Sequence, residues 1–118
     1  MAKVEFVHYK EKEILLIDFS GTPDDILPTI EAAKEVISKQ PPNSLLTLTD
    51  VTDSKFNNDV REHLKTFVVH NKPHVKAAAV VGVTGLKKVL YTVVVQFSGR
   101  NLPAFDTLDE AKEWLVKQ

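Results

Sequence analysis

The stretch His74-Val75-Lys76-Ala77-Ala78-Ala79-Val80-Val81-Gly82-Val83 decides the fold. Val75, Ala77, Ala79 and Val81 fall on one face of a strand, and Lys76, Ala78, Val80 and Gly82 on the other. Beyond Lys76 both faces are apolar, the pattern of a strand covered on both sides in a parallel sheet. Parallel strands need crossover segments, usually helices, so helices are expected on either side in sequence. Upstream, Val60, Leu64, Phe67 and Val68 mark one helical face, which Asn71-Lys72-Pro73 ends. Downstream, Gly85 to Ser98 carries two signals. Val93-Val94-Val95 is a β-branched run with strand preference. Leu86, Val89, Leu90, Val93, Val94 and Phe97 follow a helical stripe over three turns, and this longer signal decides for a helix.

The same reading extends to both ends. Ser44 to Asp50 is a third strand, separated from the preceding helix by the Pro41-Pro42-Asn43-Ser44 loop. That helix opens with Thr22 as cap, Pro23 in the first helical position and Asp25 at the positive end. Ile26, Ile30, Ala33, Val36 and Ile37 give it an apolar face. Pro28 lacks the N–H that a continuous helix needs, so a kink is expected there, or a short turn with the helix starting near it. Val4–Tyr9 and Glu13–Phe19 form an N-terminal antiparallel hairpin. Leu102 to Phe105 is a brief edge strand, because Pro103 suits an edge. Thr107 and Glu110 form a capping box before a last helix that buries Ala111, Trp114 and Leu115. The order β-β-α-β-α-β-α-β-α predicts one α/β domain over residues 1–118. It has a mostly parallel four- or five-stranded sheet, an N-terminal antiparallel hairpin and about four helices.

Composition narrows the function classes. The chain has 118 residues, 15 Lys plus Arg against 16 Asp plus Glu, and no Cys. Zero Cys removes disulfides, thiol catalysis and Cys-based zinc sites. A net charge of −1 removes the broad basic surface of a nucleic-acid binder. The start, Met1-Ala2-Lys3-Val4-Glu5-Phe6, has no apolar core of a signal peptide. No segment approaches the roughly 18 apolar residues that span a bilayer. The expected location is cytoplasmic, with peripheral contact at the inner membrane surface if the apolar helix from Leu86 meets lipid.

An opening hairpin, a strand ending at Asp50, an Ala-Val-Val strand, Gly85-Leu86-Lys87-Lys88 and Phe105-Asp106-Thr107 before Glu110-Ala111 and Trp114-Leu115 occur in that order. Together they resemble the SpoIIAA-like (STAS/Sec14-like) family of small bacterial proteins. The resemblance covers nearly the whole chain. It implies the fold read above and two non-enzymatic functions. One is a STAS-type regulatory protein-interaction module, as in the anti-sigma-factor antagonists. The other is a Sec14-like holder of lipids or other apolar ligands. In the antagonists a Ser at the start of the second helix takes a phosphate. Here the matching stretch is Asn57-Asn58-Asp59-Val60, with no Ser or Thr. Asp59 offers a fixed negative charge in its place; the plainer reading is that Asn58 or Asp59 simply caps the helix.

The remaining constellations are weaker. His70 and His74 have the spacing of half a metal site but straddle a helix end, and neither a metal nor a cofactor is expected. His8 and His63 have no obvious partners. Asp50 and Asp53 follow a strand and could hold Mg²⁺, yet a turn closed by Asp and Ser side chains is the plainer reading, and no motif supports catalysis. Gly82-Val83-Thr84-Gly85-Leu86-Lys87-Lys88 brings helix N–H groups and lysines together, where an anionic head group would bind. It lacks the spacing of a P-loop. The small Ala77-Ala78-Ala79 run allows either close packing or a cavity.

The leading expectation is therefore an apolar or amphipathic, lipid-like ligand held by Leu86, Leu90, Tyr91, Val94, Phe97 and Trp114. Lys87 and Lys88 make anion or membrane contact. The alternative is a protein partner met by Asp50, Asp53, Ser54 and Asp59. The apolar helix also makes a homodimer reasonable.

Overall fold

A computed structural model describes residues 3–118. Met1 and Ala2, with which both the leader reading and the 1–118 domain bounds begin, lie outside the described residues. The elements are β1 (Lys3–Tyr9), β2 (Lys12–Asp18), α1 (Pro23–Ser38), β3 (Leu45–Asp50), α2 (Asn58–Asn71), β4 (Val75–Val81), α3 (Lys87–Ser98), β5 (Ala104–Phe105) and α4 (Leu108–Val116). The five strands form one sheet in the order β1-β2-β3-β4-β5. β1 and β2 pair antiparallel, from Lys3 opposite Asp18 to Tyr9 opposite Lys12. The next three pairings are parallel. Fold class and element order are as the sequence predicts.

This topology dictates where the helices go. Each crossover from β2 to β5 moves one strand further in the same direction. Right-handed crossovers of that kind put all their helices on one face of the sheet. Ile26, Ile30 and Ile37 of α1, Val60, Leu64 and Phe67 of α2 and Val94 of α3 accordingly share one core with Leu15, Ile17 and Ala78. α4 follows the last strand and crosses nothing. It covers the opposite face, where Ala111 and Leu115 pack with Ile14, Leu48 and Ala79. Successive residues Ala78 and Ala79 thus belong to different cores, as the strand's period of two requires.

Two local expectations need correction. α1 runs unbroken through Pro28. Pro28 is exposed. The one intrahelical bond it forgoes lies near the helix start, where water can reach the freed carbonyl. The cap of α2 is Asn57, not Asn58 or Asp59. Its Oδ1 accepts from the Val60 N–H at 2.8 Å, one turn ahead. The Thr107 cap of α4 stands, with Glu110 N–H donating to Thr107 Oγ1 at 3.1 Å.

Candidate functional site

Between α3 and the sheet, and bounded on the other side by α2, is a cavity of about 90 Å³. Its walls are apolar: Ala78 and Val80 from β4, Phe67 and Val68 from α2, and Leu90 and Val94 from α3. The small side chain of Ala78 leaves the space that a larger residue would fill. Thr47, Thr49 and Asn71 add polar groups, and Lys87, Tyr91 and Arg100 complete the rim. No carboxylate lines it among the described residues.

α3 and the residue just beyond its C-cap are held over this cavity by side-chain hydrogen bonds to backbone carbonyls. Tyr91 Oη donates to Leu102 O. Burial raises the Tyr91 phenol above its ordinary pKa, so it stays protonated and a donor at neutral pH. Lys87 Nζ donates to Val51 O at 2.8 Å and to Thr52 O. Arg100 Nη1 donates to Val68 O at 3.1 Å. Burial lowers the pKa of this guanidinium, which remains cationic throughout the neutral range.

The structure brings Lys87, Leu90, Tyr91 and Val94 to the cavity, four of the residues expected there. It separates the others. Trp114 lies on the opposite face of the sheet with α4, its ring 5.7 Å from that of Phe105. The expectation that it shares a pocket with Leu90 fails for a topological reason: α3 is a crossover helix and α4 is not. Leu86 and Phe97 point outward instead. With Val89 they form an exposed stripe on α3, at 90, 65 and 54% exposure for Leu86, Val89 and Phe97. Lys88 is exposed near the start of that stripe, whereas Lys87 turns inward.

The acidic group disperses as well. Asp50 Oδ1 accepts from Thr52 N–H at 2.9 Å and from Thr52 Oγ1 at 2.6 Å, an Asx turn as the plainer reading has it. Ser54 is buried and its hydroxyl donates to Phe19 O, so it offers nothing outward. Asp53 and Asp59 remain exposed. Asp59 has a partner on its own helix, His63, whose Nδ1 lies 3.4 Å from Asp59 Oδ1. His70 and His74 use their Nδ1 atoms on Asn71 Oδ1 and Gln40 O, at 2.9 and 2.8 Å. Among the described residues no cluster of three or more acidic or His side chains is placed to hold a metal. No helix among them is long and apolar enough to cross a membrane.

Sequence reasoning missed Arg100 and the α2 wall. Phe67 and Val68 read simply as core. Arg100 stands in the link between α3 and β5, where nothing in the spacing marks it.

No family model matches the chain, and no curated protein matches it. Solved structures that match its fold include two that cover nearly the whole chain. One is an uncharacterised protein of the DUF3478 family with a SpoIIAA-like fold from Shewanella loihica PV-4. It has a TM-score of 0.75 at 15% identity, over 96% of this chain and 92% of that one. The other is an anti-sigma-factor antagonist (STAS) domain protein from Planctomyces limnophilus. It has a TM-score of 0.67 at 14% identity, over 96% of this chain and 97% of that one. The fold of the chain is SpoIIAA-like.

Proposed function

We propose that this SpoIIAA-like domain is a non-enzymatic binding module that holds an apolar or amphipathic molecule beneath α3. The observation that carries the reading is the apolar cavity between β4, α2 and α3, with cations at its rim and no carboxylate among its described lining residues. Apolar pockets with a few placed polar groups are the usual form of small-molecule sites. The outer stripe Leu86, Val89 and Phe97, with Lys88 near its start, supports peripheral contact with an anionic membrane during ligand exchange. A lipid-length chain exceeds 90 Å³, so α3 must move to admit one. Its tethers are neutral or charged hydrogen bonds of about 1–3 kcal/mol each, which leaves that motion accessible.

Native mass spectrometry of protein purified without detergent tests the reading, together with sedimentation on anionic vesicles. A bound adduct, or vesicle binding lost in Leu86→Asp, supports it. A clean apo mass with no vesicle binding overturns it. A doubled mass by light scattering, abolished by Leu86→Asp, would assign the stripe to a homodimer instead.

A second reading is a STAS-type protein-interaction module lacking the phosphorylatable serine. The exposed carboxylates of Asp53 and Asp59 beside the start of α2 favour it. A pull-down comparing the wild type with Asp59→Ala discriminates, and identical partner sets would sink this version.

A further inference from the structure

We infer that Arg100 makes the cavity beneath α3 selective for a compact monocarboxylate, its apolar body against Leu90 and Val94 and its carboxylate on the guanidinium. The inference rests on the cavity reading above and specifies its ligand class.

Arg100 owes its position to the end of α3. Gly99 adopts a left-handed conformation (φ 66°) that ends the helix and turns the chain back toward α2. The Arg100 N–H then donates to Ser98 Oγ at 3.2 Å, and the side chain reaches the Val68 carbonyl of α2. A guanidinium has five N–H donors in a planar fork. Among the described residues its side chain makes this one hydrogen bond and no ion pair. Arg100 is partly buried; a partly desolvated charge without a counter-ion carries a cost, and an anion that supplies one relieves it. Carboxylate matches the fork in bidentate geometry. Lys87, the other cation lining the cavity, already spends two of its three donors on the Val51 and Thr52 carbonyls, whereas four of the five Arg100 donors are free among the described residues.

With α3 in its observed position, the volume sets the body of the ligand that fits without displacing the helix. A dry cavity of about 150 Å³ accepts benzene. The 90 Å³ here suits a branched chain of about four carbons by the same scale. The apolar walls disfavour a dianion, whose second charge would have no partner.

Calorimetric titration with isovalerate and with its neutral counterpart 3-methylbutan-1-ol tests the assignment without any variant. The acid should bind the wild type about tenfold tighter or more, the ratio that one charged hydrogen bond supplies. Arg100→Gln should bring that ratio close to one while leaving the alcohol unaffected, and Arg100→Lys should give an intermediate ratio. Equal binding of acid and alcohol to the wild type would overturn the role of Arg100 and leave the cavity standing. Undiminished acid preference in a folded Arg100→Gln would do the same. Failure of both molecules to bind would overturn this ligand class, and the cavity reading falls only if native mass and vesicle binding are negative too.

Discussion

Replacing Ala78 by Val should fill the cavity rather than strain the core. Ala78 is buried on the α3 side of β4 and lines the cavity. Valine adds two carbons, each worth about 0.8 kcal/mol when buried. The gain is then at most about 1.6 kcal/mol, a rise in Tm of roughly 6 °C for a domain of this size. The space suffices, since about 10–15 Å³ by this measure admits one water-sized group and the cavity holds about 90 Å³. Ala79→Val is the matched control. It lies next along the same strand, so strand preference changes equally, but its side chain is fully buried in the other core under α4. There the same two carbons overpack, at a cost of about 1–3 kcal/mol. Urea unfolding of the wild type and both variants should place Ala78→Val at or above the wild type and Ala79→Val below it. Ala78→Val should also weaken isovalerate binding. Equal destabilisation of the two variants would refute the cavity and the function built on it.

Two further outcomes follow from the loops beside the sheet. Gly82 has φ +92°, and a Cβ there would lie 2.5 Å from Thr52 N, a backbone atom that cannot swing aside. Gly82→Ala should therefore lower stability by about 1–3 kcal/mol or more in a denaturant melt, although it adds only a methyl group. Asp25 Oδ2 accepts from Thr22 N–H at 2.9 Å and from Thr22 Oγ1 at 3.0 Å, which holds its carboxyl below the ordinary value of 3.8. A depressed carboxyl pKa stabilises the fold above the unfolded value, and that contribution is lost as pH falls through the folded value. The Tm difference between wild type and Asp25→Asn should accordingly be constant near neutrality and shrink toward zero below pH 3.8; a difference that persists there would contradict this account.

Most of the architecture was legible because its signals are local. The doubly apolar β4, the Thr107 and Glu110 capping box and the helical stripe of α3 each lie within one element. The helix at Gly85–Ser98 could be read despite Val93-Val94-Val95 because its stripe outlasts that run. The site was legible only in part. The stripe tells which residues of α3 are apolar, but two apolar faces on one helix do not say which looks inward. Leu86 and Phe97 therefore fall with Leu90 in a sequence reading although they face outward. Crossover handedness would have excluded Trp114, since it places α1, α2 and α3 together and frees α4 for the other face. Arg100 could not have been found this way. Its role depends on where Gly99 sends the chain and on the absence of a carboxylate across the cavity, neither of which leaves a periodic trace. Asp59 read as a bare charge because its neighbour His63 is a helical turn away rather than adjacent.

Sheet order here coincides with chain order, and that bears on how the molecule comes into being. Every strand pairs with the one made just before it. Closing each pairing orders a loop of one turn or one helix, and loop-closure entropy grows with the logarithm of that length. No strand waits for a distant segment to be synthesised. The sheet can grow from β1 outward as the chain leaves the ribosome, each edge masked by the next arrival. α4 follows the whole sheet in the chain and covers its other face, so a nascent sheet exposes Ile14, Leu48 and Ala79 until this nine-residue helix docks. A chain truncated before Leu108 would stay in that unfinished, aggregation-prone form.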